Sequence, residues 1–191
     1  MIREQQARIV WLGRRPRDAR IQANIDRLAA LGTAPDYLVA DAADAGSLQA
    51  AYRQIKQRHG RIDGVVLSSI HLEPRALADM DEAHLIAGLR AKVDTSIRVV
   101  EAFAAEPLQR VLFFSSLIAF VRNPLQSAYA AGCAFADAFA LALRRRWSAP
   151  DAPAVKIMNW GFWDRPENLE LEGFAAMAQM GIGLITADEA M

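Results

Sequence analysis

Five short apolar runs, separated by stretches of helical spacing, constrain this chain more than any other feature. Ile9-Val10-Trp11-Leu12, Tyr37-Leu38-Val39-Ala40, Gly64-Val65-Val66-Leu67 and Val111 to Phe114 are apolar without alternation, as strands buried on both faces are, and Val155 to Met158 is apolar but for Lys156. Asp18 to Leu31 and Ser47 to His59 repeat apolar residues at helical spacing, with Gly32 and Gly60 placed as stops. Asp81 to Ala105 reads as one longer helix ended by Pro107, and Gln126 to Trp147 as another. Leu169 to Met180 is expected as a shorter helix over the mouth of a site. The alternation predicts an α/β fold, a doubly wound parallel sheet covered by helices on both faces, in one domain spanning 1–191.

In such a sheet ligands bind outside the carboxyl ends of the strands. The fourth run ends there on two hydroxyls, Ser115-Ser116, and Tyr129 opens the following helix thirteen residues after Ser116. One loop of that length can return the tyrosine beside the serine. No Gly-x-Ser-x-Gly turn is present, so the pair suggests proton donation to a substrate oxygen rather than nucleophilic attack. The plainer alternative is a serine capping the strand and a tyrosine packing the helix start.

Composition excludes several classes. Twenty-two basic and 22 acidic side chains cancel, leaving no general field to recruit nucleic acid or an anionic membrane. No apolar run approaches the roughly 18 residues of a spanning helix, and Met1 to Gln6 lacks the apolar core of a signal peptide. Cys133 is the only cysteine, which rules out an internal disulfide and suits the reducing cytoplasm. His59, His71 and His84 are scattered, so no metal site is expected. Arg144-Arg145-Arg146 reads either as a docking patch for an acidic carrier protein or as a solvated helix end.

The order and spacing of Leu12-Gly13-Arg14-Arg15, Ala40-Asp41, Gly60 to Val66, Ala91-Lys92-Val93-Asp94, Phe113 to Ser116, Tyr129 to Phe135 and Asn159-Trp160-Gly161 resemble the ketoreductase domains of modular polyketide synthases. These are relatives of the short-chain dehydrogenases/reductases, and the wording is most similar to synthases served by a separate acyltransferase. The resemblance implies a Rossmann-like sheet and NADPH-dependent reduction of a β-ketoacyl thioester carried by an acyl carrier protein, among other synthase domains. It puts the catalytic tyrosine on Tyr129, the serine on Ser116 and the lysine on Lys92. Lys92 would lower the phenol pKa and hold the nicotinamide ribose. It also implies Arg14, beside Arg15, for the 2′-phosphate and Asp41 for the adenine.

The chain departs from that pattern at three points. Cys133 stands where the family usually has asparagine, and Ser68-Ser69-Ile70 replaces an Ala-Ala-Gly-like segment. No Gly-x-Gly-x-x-Gly turn occurs, so the chain resembles a partial domain, truncated at its N-terminus and running from the second strand onward. Met1 to Gln6 is then expected in the helix after that turn, and the sheet is expected to carry a gap with two unpaired edges, unstable or inactive unless a neighbouring segment fills it. Leu72-Glu73-Pro74 and Val121 match neither marker of product stereochemistry, so no product hand is assigned. A non-catalytic scaffold that has lost its cofactor is the alternative reading.

Overall fold

A computed structural model describes residues 1–121 and 123–163, together with 179, 181, 183–186 and 189. The five strands form where expected: β1 (Val10–Gly13), β2 (Asp36–Val39), β3 (Gly64–Leu67), β4 (Arg110–Ser116) and β5 (Ala154–Trp160). β4 and β5 extend past the apolar runs because parallel pairing continues to Ser116 opposite Trp160. The helices are α1 (Ile2–Gln5), α2 (Ala19–Ala29), α3 (Ala45–His59), α4 (Glu82–Arg90), α5 (Val93–Phe103) and α6 (Ser127–Arg146). Two further short strands, β6 (Phe162–Trp163) and β7 (Leu184–Ile185), pair in parallel and have no counterpart in the sequence reading. The helix expected over Leu169 to Met180 lies outside the described residues except at Gln179.

Among the described residues the main strands pair in two groups, β1 with β2 and β3 with β4 with β5, all parallel. β1 and β3 each pair on one side only, which is the interrupted sheet the sequence predicts. A cavity of about 390 Å³ lined by Val10, Leu38, Ile55 and His59 lies against the β1–β2 group, away from Tyr129.

Alternation along β4 sets the core. Val111 and Phe113 are 2% and 1% exposed and pack with Leu48, Val99, Phe103, Ala136, Ala140 and Leu143 from α3, α5 and α6. Each buried Val, Leu or Phe among them contributes about 1.5–3 kcal/mol. Ser115 shares their parity and is buried, whereas Ser116 faces the other way at the strand tip.

The helix expected over Asp81 to Ala105 is two helices, and the break is informative. The Ser69 hydroxyl, just beyond β3, donates to the Ala91 carbonyl at 2.5 Å, taking the acceptor that a continuous helix would offer to Thr95. Lys92 therefore becomes the residue that opens α5, with its amide bonded back to the Leu89 carbonyl at 3.0 Å. No helix among the described residues is long and apolar enough to cross a membrane.

Candidate active site

Lys92, Ser116 and Tyr129 meet at the carboxyl end of β4. Ser116 caps the short turn after the strand, accepting from the Ile118 amide at 3.2 Å, and its hydroxyl hydrogen-bonds the Tyr129 phenol. Tyr129 sits in the first turn of α6, and the Lys92 ammonium lies 5.9 Å from its ring centroid, within cation–π range. A helical lysine is ordinarily a solvated charge, but Lys92 is 5% exposed and donates from Nζ to the Phe114 carbonyl at 2.6 Å.

Glycines on two helices make room for that lysine. A Cβ added at Gly132 would stand 3.2 Å from Lys92 Cβ and 3.3 Å from its Cγ, and one added at Gly88 would stand 2.6 Å from Ala128 Cβ. α4 and α6 therefore approach closely, with the lysine stem against them. The sequence assigns neither glycine a role, although Gly132 stands in the Tyr129 to Phe135 motif, because neither marks a turn and a helical glycine carries no periodic signal.

Electrostatics at the site run against one expectation. The phenol pKa was expected to fall under the influence of Lys92. Instead, burial pushes Tyr129 well above its ordinary value, neighbouring Cys133 adds to the rise, and only Ser116 opposes it. Burial likewise lowers the Lys92 pKa, while Cys133 and Asp137 act to raise it. The tyrosine is thus held as the neutral, proton-bearing phenol.

Cys133, at the position where the family usually has asparagine, is completely buried. It does more than fill space, because it stands one helical turn after Tyr129, beside the phenol. Burial raises the thiol pKa, so it remains a thiol.

The cofactor candidates lie farther off. Arg14 and Arg15 are exposed at the end of β1. Arg15 is 3.9 Å from Asp18, and its carbonyl accepts from the Tyr37 hydroxyl at 2.7 Å, while Arg14 makes no ion pair among the described residues. Asp41 accepts from the Ala43 amide at 2.9 Å and from Arg90 at 3.1 Å. Asp41 does not cap α3; Asp44 does, accepting from the Ser47 amide at 2.8 Å.

Beside Tyr129 a cleft is lined by His71, Glu73, Arg75, Met80, Gln126 and Leu125. Glu73 gathers the basic side chains around it: Arg75 and His84 at 3.5 Å and His71 at 3.6 Å. The Arg75 amide donates to the Leu125 carbonyl at 2.8 Å, tying this loop to the one that precedes α6.

With this geometry in place, similarity to known proteins becomes informative. Residues 1–165 match the KR domain family. The chain belongs to that family. It is 50% identical over its whole length to polyketide synthase PksM of Bacillus subtilis strain 168 and 47% identical to PksN of the same organism. It is 48% identical over its whole length to polyketide synthase ThaG of Burkholderia thailandensis. The chain spans only 4% of PksM and 3% of PksN and ThaG, so it corresponds to one part of those synthases.

Solved structures agree on the fold. A ketoreductase domain from the bacillaene assembly line superposes with a TM-score of 0.89 at 24% identity, covering 99% of this chain and 46% of that one. An N-terminal ketoreductase from the macrolactin assembly line gives 0.84 at 24% identity, covering 96% and 35%. A short-chain dehydrogenase from Burkholderia cenocepacia, in complex with NADP, gives 0.83 at 24% identity, covering 95% and 76%. The KR domain therefore has the Rossmann-like fold of the short-chain dehydrogenases, with helices packed over parallel strands.

Proposed function

We propose that this KR domain reduces the ketone of a β-ketoacyl group held as a thioester on an acyl carrier protein, with NADPH as the reductant. The convergence of Ser116, Tyr129 and Lys92 at the tip of β4 carries this reading.

The donor set suits such a cofactor. Arg14 leaves an exposed guanidinium without an ion pair among the described residues at the end of β1, ready for a phosphate. Lys92 uses one of its three N–H donors on Phe114, leaving two for ribose hydroxyls. When bound, NADPH supplies the hydride.

The chain's own residues supply the proton and the placement. Tyr129, kept protonated by burial, donates from its hydroxyl to the ketone oxygen and gives up its proton as charge develops there. Ser116 donates to the same oxygen, in a pocket where hydrogen bonds to developing charge are strong. Lys92 places a cation beside the phenolate that remains.

The full-length protein, given NADPH and a β-ketoacyl thioester, is expected to produce the β-hydroxyacyl thioester. Tyr129→Phe should reduce turnover at least about a hundredfold with NADPH affinity retained. Failure of the parent protein to bind NADPH would sink the reductase reading and leave the scaffold.

A further inference from the structure

Tyr129, Cys133 and Asp137 are spaced four residues apart on one face of α6, so they stack over two helical turns. The first two belong to the site already described, and the third has no part in it. Asp137 is held from β5: Asn159 donates from Nδ2 to Asp137 Oδ2 at 2.8 Å. The other oxygen, Oδ1, is buried and has no hydrogen-bond partner. A buried carboxylate oxygen left without a partner is costly unless a charge lies within reach. The nearby cation is Lys92, whose stem runs along the same helix at Gly132 and whose ammonium feels the Asp137 charge through space, without a direct ion pair.

We propose that Asp137, oriented by Asn159, is a positioning residue: it supplies the counter-charge that keeps the buried Lys92 an ammonium beside Tyr129. This role rests on the reductase reading for its purpose, but not for its geometry. Desolvation alone works against a charge on Lys92, and the Phe114 carbonyl offers only a dipole.

The other groups packed around the lysine do not supply that charge. β4 contributes only the hydroxyls of Ser115 and Ser116 and the Phe114 carbonyl. Tyr129 and Cys133 are held neutral by burial. On its own helix Asp94 is 3.9 Å from Arg90, and from α4 Arg90 itself turns to Asp41 at 3.1 Å. Asn159 is neutral and holds the carboxylate in place without adding charge.

The test measures Lys92 directly in the full-length protein without cofactor, by trace acetylation with acetic anhydride across pH, quantified on the peptide that carries Lys92. Asp137→Asn, which retains shape and removes charge, is expected to move the Lys92 titration midpoint down by about one pH unit. The alkaline limb of the kcat profile with NADPH should move down with it. Asn159→Ala, which keeps the charge but frees it to turn, should shift the midpoint in the same direction by less. Asp137→Glu should restore part of the shift. An unchanged Lys92 midpoint in folded Asp137→Asn overturns the proposal; if that variant does not fold, an unchanged midpoint in Asn159→Ala overturns it. A shifted midpoint in a protein that reduces no ketone supports the counter-charge and counts against the reductase reading alone.

Discussion

Gly132 and Lys92 touch as backbone to side-chain stem: a methyl group added at Gly132 would stand 3.2 Å from Lys92 Cβ. These are the near atoms of the lysine, so it cannot swing clear by moving its far end. Gly132→Ala is therefore expected to shift the ammonium relative to Tyr129 and lower kcat by about tenfold. The same change gains up to about 1 kcal/mol of helix propensity, so the unfolding temperature should not fall in proportion. Kinetics and thermal unfolding of one variant separate the two effects, and an unaltered kcat would show that the lysine tolerates the displacement.

Gly88 makes a tighter contact across the same packing. Its added Cβ would lie 2.6 Å from Ala128 Cβ, so α4 and α6 would have to separate. Overpacking of this kind costs about 1–3 kcal/mol, of which improved helix propensity returns up to about 1. Gly88→Ala should lower the denaturant midpoint, with a smaller effect in an Ala128→Gly background.

The pH dependence of stability has an identified source away from the site. Glu106, 3% exposed, accepts from Tyr52 at 2.6 Å and from Lys56 at 3.0 Å. Burial pushes its pKa up, but those hydrogen bonds outweigh burial and hold the carboxyl below its ordinary value. A depressed folded-state pKa means stabilisation that is present above the unfolded value, about 4.3, and is lost as pH falls through the folded value. Unfolding temperatures measured from pH 6 downward should decline in that acid window. Glu106→Gln should be less stable at neutral pH and show a shallower acid decline; an equal decline would place the titrating group elsewhere.

Arg14 tests the cofactor. If its guanidinium meets a 2′-phosphate, Arg14→Ala should weaken NADPH binding by about tenfold, the loss of roughly one charge-assisted hydrogen bond. NADH affinity should stay within about twofold. Equal weakening of both cofactors, measured by fluorescence titration of the full-length protein, would assign the 2′-phosphate contact to another residue.

The sequence by itself determined the five main strands and their order, because apolar runs of strand length and helical periodicity are local signals. It also singled out Ser116 and Tyr129, since hydroxyls that end an apolar strand are visible one residue at a time. It could not show that Asp81 to Ala105 is broken. That break depends on Ser69, from the loop after β3, capturing the Ala91 carbonyl. Nor could it show that Lys92 is buried, because burial of a helical lysine is decided by what packs against it, here Gly132 and the Phe114 carbonyl. The upward pull on the Tyr129 pKa is likewise a tertiary fact: proximity of a lysine is readable by analogy, but desolvation depends on the closed surroundings. Asp137 shows the division most clearly. Its spacing from Tyr129 and Cys133 is written in the sequence, but its partnership with Asn159 exists only because β5 lies beside β4 and brings that amide over α6.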